Sequence, residues 1–154
     1  MDAIKAIALD VDGVLTDGAI WWGPNGEEWK RFSFRDIMGV SRARRAGLII
    51  ALISGEDSPL VDRFAQKLGI EDVFKGCKNK ALAFEEFARC RGLKMSEIAF
   101  MGDDVNDIEA MKLAGMSAAP LDAHPAARQQ ATFVSKYNGG NGAVREFIDQ
   151  LMNP

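Results

Sequence analysis

Four short apolar runs alternating with helical stretches limit most strongly what this chain can fold into. Ile4 to Leu9 ends at Asp10, Leu48 to Ile53 ends at Ser54-Gly55, Ile98 to Met101 ends at Gly102-Asp103-Asp104, and Met116 to Ala119 ends at Pro120. Runs this short and this apolar suit strands buried on both faces. Between them Gly39 to Ala46, Pro59 to Leu68, Lys80 to Arg91 and Val105 to Ala114 are expected to be helices, the last with Ile108, Met111 and Leu113 at helical spacing. Strand alternating with helix predicts an α/β fold, a doubly wound parallel sheet covered on both faces. In such sheets ligands bind beyond the carboxyl ends of the strands, and three of the four runs end there on Asp, Ser or Gly. A last helix, Ala143 to Leu151, follows the Gly-rich stretch Tyr137 to Gly142, expected to be a mobile turn or a lid-like loop.

With 154 residues and 47% hydrophobic content the chain supports one domain, residues 1–154. A net charge of -3, with Lys and Arg spread along the sequence, offers no basic stripe for a nucleic-acid backbone. No run is long enough to span a membrane and Met1 to Leu9 has no leader pattern, so a soluble cytoplasmic protein is expected. Cys77 and Cys90 lack C-x-x-C spacing and are expected to be buried reduced thiols.

One segment, about residues 19–34, interrupts the alternation. Two aromatic-rich runs, Ala19 to Trp22 and Glu28 to Phe34, flank the turn residues Gly23 to Gly26, which predicts a β-hairpin inserted into the fold. Trp21, Trp22, Trp29, Phe32 and Phe34 are more aromatic surface than a small hairpin keeps in water, so part of it should meet another subunit.

The strand ends carry the chemistry. Asp10-Val11-Asp12-Gly13 sets two carboxylates two residues apart directly after a strand, where a bend lets both face one site. Covalent hydrolysis of a phosphate monoester needs a nucleophilic oxygen and a second group that protonates the leaving alkoxide and later deprotonates water. A phosphate ester repels ionised carboxylates, so a hard divalent cation is required between them, and Asp103 and Asp104 offer it further oxygens. Ser54-Gly55 and Lys80 supply a hydroxyl, backbone N–H groups and an ammonium for the phosphoryl oxygens. Lys80 also opens a predicted helix, adding the positive end of its dipole. His124, in a Pro-flanked turn, is expected to cap or pack rather than to catalyse.

In this order the motifs resemble those of the haloacid dehalogenase superfamily: Asp10-Val11-Asp12, then Ser54, then Lys80, then Gly102-Asp103-Asp104 through Asp107. The resemblance implies that Asp10 becomes phosphorylated and that Asp12 is the general acid and base. It implies Mg²⁺ held by Asp10, the Asp12 carbonyl and Asp103. Ser54, Gly55 and Lys80 would hold the phosphoryl group, with Asp104, Asn106 and Asp107 supporting from behind. Further matches at Asp10 to Gly18, Asn25 to Glu28, Phe34 to Asp36, Asp122 to Pro125 and Gly139 to Glu146 extend it over nearly the whole chain.

These matches are similar to the cap-less branch that acts on phosphorylated eight- and nine-carbon 2-keto-3-deoxy sugar acids. Only about twenty-five residues separate Asp12 from the first helix, and about as few lie between Ser54 and Lys80, which leaves no room for a cap domain. The branch implies a homotetramer with the hairpins at its centre and a tail reaching a neighbouring site. It also implies substrate contacts from Arg35 and Asp36. Glu56 stands where the eight-carbon enzymes usually carry Arg. With Lys67 it resembles the pattern of the nine-carbon, 2-keto-3-deoxynononate 9-phosphate, enzymes. Two other classes compete. A phosphoacceptor signalling domain would arrange its acids on different strands, and a noncatalytic oligomerisation module would not need the complete set Asp10, Asp12, Ser54, Lys80 and Asp103.

Overall fold

The computed structural model describes residues 3–153. Its core is a six-stranded sheet, ordered β5-β4-β1-β6-β7-β8, in which every pairing is parallel. The strands are β1 (Ala6–Leu9), β4 (Ile49–Ile53), β5 (Asp72–Phe74), β6 (Ile98–Met101), β7 (Met116–Ala119) and β8 (Phe133–Val134). β1 is central, with Leu9 opposite Leu52 on one side and Met101 on the other.

Among the described residues six α-helices cover the sheet: α1 (Phe34–Arg45), α2 (Pro59–Leu68), α3 (Lys80–Arg91), α4 (Ile108–Leu113), α5 (Pro125–Gln130) and α6 (Ala143–Met152). Alternation along each strand divides the core in two. Ile7, Leu9 and Leu52 face α1, α2 and α6, packing with Val40, Phe64, Val144 and Phe147. Ala6, Ala8 and Ala51 face α3 to α5, where their small side chains leave room for Phe84, Phe87 and Phe100. The doubly wound α/β prediction therefore holds. No helix among the described residues is long and apolar enough to cross a membrane.

Several boundaries differ from expectation. β5 and β8 were not anticipated, being too short for periodicity to show. α1 begins at Phe34, not Gly39, because the Ser33 hydroxyl caps it by accepting from Arg35 N–H. Phe34 therefore belongs to a helix rather than to the hairpin. The hairpin itself is reduced to β2 (Trp21–Trp22) and β3 (Glu28–Trp29), closed by Gly23 N–H donating to the Glu27 carbonyl. The segment from Val105 starts as a 3₁₀ turn to Asp107 before α4. Cys90 is exposed and Cys77 half-buried, so the two free thiols are not the core residues expected.

The largest correction concerns residues 137–142. Gly139 and Gly140 are buried, and Gly140 N–H donates to the Val14 carbonyl at 3.0 Å. A Cβ on Gly139 would lie 1.9 Å from the Gly13 carbonyl oxygen. This stretch is glycine-rich because it is pressed against the loop after β1, not because it moves.

Candidate active site

Every element that ends at the top of the sheet beside β1 delivers one group to a single pocket. Asp10 follows β1, with its N–H donating to the Met101 carbonyl at 3.0 Å, and is 3% exposed. The chain then turns sharply at Gly13, whose φ of 85° and proximity to Asp103 Oδ2, 1.9 Å from a built Cβ, both exclude a side chain. The turn keeps Asp12 on the pocket wall next to Asp10.

Lys80, 3% exposed at the first position of α3, stands between two carboxylates. Its Nζ lies 2.9 Å from Asp10 Oδ1 and 2.7 Å from Asp107 Oδ1. Burial opposes the ammonium, but Asp10 and Asp107 outweigh it and raise its pKa. Asp107 is fully committed: Oδ1 accepts from Lys80, and Oδ2 accepts from the Asp103 and Asp104 N–H groups at 2.9 and 3.1 Å. It therefore shapes the loop that presents Asp103. Gly102 permits this, since a Cβ there would fall 2.4 Å from that of Asp107.

Asp10, Asp103 and Asp107 each bring a carboxylate oxygen within 4.8 Å of the others. One lysine faces three acids, and the imbalance shows. Burial first, and the Asp107 charge second, hold Asp10 well above the ordinary carboxylate range despite Lys80. Burial likewise pushes Asp103 up to about 6, against the hydrogen bond with Asp10 that pulls it down. A hard divalent cation fits this donor set, because it supplies the missing positive charge to Asp10 and Asp103.

The pocket, about 520 Å³, is lined by Asp10, Asp12, Gly55, Glu56, Lys80 and Asp103, with Gly18, Ile20, Cys77, Lys78, Asp104 and Asn106 completing it. Ser54 lies just beneath, fully buried, its Oγ accepting from the Glu56 N–H at 3.2 Å, while Gly55 and Glu56 form the surface. Burial raises the pKa of the Cys77 thiol, which argues against a nucleophilic thiolate. Lys78 and Ile20 line the pocket but escaped sequence reasoning, as did Lys30, whose Nζ lies 2.7 Å from Asp12 Oδ1, since nothing in a local pattern says that a loop or hairpin residue points inward.

Three expected substrate residues do not reach this pocket. Asp36 is 1% exposed, and its carboxylate accepts from Gly142 and Arg145 N–H at 3.3 and 3.0 Å, capping α6 in place of a side chain at Gly142. Arg35 lines a separate depression with Tyr137, Gly142 and Arg145. Lys67, near the end of α2, holds its ammonium 5.7 Å from the Phe34 ring centroid, away from Glu56's pocket. His124 caps α5, Nδ1 accepting from Ala126 N–H.

A buried aspartate beside a lysine, a second aspartate two residues on and a third from another strand end together make the kind of site that suits phosphoryl transfer. The match to known proteins agrees. Residues 35–115 match the haloacid dehalogenase-like hydrolase family. The 3-deoxy-D-manno-octulosonate 8-phosphate phosphatase of Escherichia coli (strain K12) is 40% identical over 149 residues, 97% of this chain and 79% of that protein. The crystal structure of that enzyme from Moraxella catarrhalis, in complex with magnesium ion, phosphate ion and KDO, superposes with a TM-score of 0.95. It is 35% identical, over 97% of this chain and 86% of that one. A cobalt-bound form from Haemophilus influenzae gives 0.94 at 36% identity, over 97% and 88%. The chain belongs to the haloacid dehalogenase superfamily, in its cap-less branch resembling the octulosonate 8-phosphate phosphatases. It is a phosphoric monoester hydrolase.

Proposed function

We propose that the chain is a Mg²⁺-dependent phosphatase that hydrolyses the phosphate monoester of a 2-keto-3-deoxy sugar acid through an aspartyl-phosphate. The observation that carries this is the convergence of Asp10, Asp12, Lys80 and Asp103 on one open pocket. Bound Mg²⁺ would be held by the Asp10 and Asp103 carboxylates and the Asp12 carbonyl, and would offset the charge of the phosphoryl group as it meets Asp10.

Asp10 Oδ1 is tied to Lys80 and to the Val11 N–H at 2.8 Å, which fixes the carboxylate while its other oxygen remains to attack. That oxygen bonds to phosphorus as the ester P–O bond breaks, and the electron pair leaves on the sugar oxygen, which takes a proton from Asp12. Water then attacks phosphorus, Asp12 takes its proton, and the bond to Asp10 breaks to release inorganic phosphate. Lys80 and the Gly55 N–H stabilise charge on the phosphoryl oxygens.

The eight-carbon octulosonate 8-phosphate is the substrate that the relatives support. One observation favours a nine-carbon 2-keto-3-deoxynononate 9-phosphate instead: an acid, Glu56, lines the pocket where a substrate carboxylate would repel it and a substrate hydroxyl could donate to it. The test is kcat/KM for both sugar phosphates, in wild type and in Glu56→Ala. Preference for the eight-carbon ester, or an unchanged ratio in the variant, removes the nine-carbon reading.

The hairpin supports a homo-oligomer, in keeping with a tetramer. Trp21 and Trp22 of the hairpin, and Phe34 at the start of α1, are 69%, 79% and 77% exposed, too much aromatic surface for an isolated chain. Sedimentation of Trp22→Glu tests this, with dissociation expected; a wild-type monomer of normal activity would overturn it.

A further inference from the structure

Lys30 is out of place for a hairpin residue. Its neighbours Trp29 and Arg31 are exposed, yet the Lys30 side chain is wholly buried. Its Nζ lies 2.7 Å from Asp12 Oδ1, and Asp12 is its one acidic partner among the described residues. Neither buried atom has a hydrogen-bond partner among the described residues. A buried ion pair of this kind gives little net stability over apolar side chains of the same size. The same rule makes removal of one partner harmful, because the other charge is left unpaired. Placement of an ammonium here is therefore better explained by what it does to Asp12.

The Asp12 side chain is 27% exposed although Oδ1 is not exposed at all. The accessible part of that side chain faces the pocket, where Asp12 is a lining residue. We propose that Lys30 is a positioning residue for the acid–base step, its ammonium holding Asp12 Oδ1 so that Oδ2 is presented to the ester oxygen of the substrate. This rests on the reading of Asp12 as acid and base. A group held by one oxygen reaches the leaving atom with the other in a fixed geometry, and small errors in that geometry are costly to rate.

The experiment measures kcat/KM, which reports the steps through phosphorylation of Asp10, for an alkyl phosphate and for p-nitrophenyl phosphate. The alkoxide needs a proton as it leaves; p-nitrophenolate does not. Wild type, Lys30→Met, Lys30→Arg and Asp12→Asn are compared at saturating Mg²⁺, with circular dichroism confirming the fold. Lys30→Met should lose about 10- to 100-fold on the alkyl ester and less than about 3-fold on the aryl ester, as a fraction of the full acid effect. Lys30→Arg should recover part of the loss. In the Lys30→Met, Asp12→Asn double variant the losses should not add. A side chain with a merely structural role would reduce both esters alike. Equal losses, or none, in Lys30→Met while Asp12→Asn still discriminates between the esters would overturn the role of Lys30 alone. An Asp12→Asn variant that does not discriminate would overturn the acid role and the inference with it. Should Lys30→Met fold poorly, the ester comparison and partial rescue in Lys30→Arg decide instead.

Discussion

Lys80→Met removes the one ammonium between Asp10 and Asp107 and keeps a side chain of similar length. Lys80 and Asp10 are each 3% exposed and Asp107 is fully buried. Contacts of 2.9 and 2.7 Å disappear, leaving two buried carboxylates beside Asp103 without their counter-ion. Breaking a buried pair from one side costs about 3–5 kcal/mol, which for a chain of this size lowers Tm by roughly 6–20 °C. The loss depends on pH. Asp10 already has a raised pKa in the fold, so its ionisation opposes folding as pH rises above the unfolded carboxylate value. Without Lys80 that opposition grows, while at low pH the group takes a proton and the penalty fades. The gap in Tm between wild type and variant should therefore be largest near pH 8 and shrink towards pH 5, in melts recorded with chelator by circular dichroism. Added Mg²⁺ should narrow it at pH 8 by supplying charge to Asp10 and Asp103. A gap under about 3 °C at pH 8, or one unchanged between pH 5 and pH 8, would refute the charge balance described for this site.

Asp10→Asn should abolish turnover while leaving the melting profile folded, since an amide cannot form the acyl phosphate; residual steady-state activity without deamidation by mass spectrometry would rule out that role. Mg²⁺ affinity measured by calorimetry should fall about tenfold per pH unit below about 6, where Asp103 holds a proton that the cation must displace, and flatten above it. Affinity that is flat from pH 5 to pH 8 would contradict this. Gly139→Ala should cost about 1–3 kcal/mol from overpacking, because its Cβ meets the Gly13 and Thr16 carbonyls. It should also lower kcat by about 10²-fold if the Asp12-Gly13 loop shifts by an ångström; a normal melt with normal kcat would show that the loop yields freely.

The candidate catalytic groups were legible because Asp10 and Asp103 follow strand ends and Lys80 opens a helix, places where position along the chain and position in space coincide. Asp10, Lys80 and Asp103 needed only the alternation of strands and helices to be brought together. Residues whose role depends on packing were not legible. Nothing local distinguishes a buried Lys30 from a solvated one, and Asp36 resembles a substrate ligand until α6 is seen to need a cap that Gly142 lacks. The Gly139-Gly140 pair shows the same limit, since absent side chains indicate either freedom or close approach, and only the neighbouring Gly13 carbonyl decides which. Ser33 was a missed signal: a hydroxyl followed by Asp36 in the first turn marks a helix start that the aromatic Phe32 and Phe34 obscured.

The place of β1 at the centre of the sheet governs when a newly made chain can become active. Of the six strands β1 is made first, but Leu9 finds its neighbours only when Leu52 and then Met101 have been made. Pairings between such distant segments form late, because the intervening chain must close into a loop before any contact rewards it. Asp10 is therefore made well before Lys80 can stand at its side or Asp103 across from it. A product that stops or is cut before β6 carries Asp10, Asp12 and Lys80 but lacks Asp103, the Asp107 that pairs with Lys80, and the strand that flanks β1 on one side. Activity should thus arise all at once, with the docking of β6, and truncated chains should be inert rather than partly active.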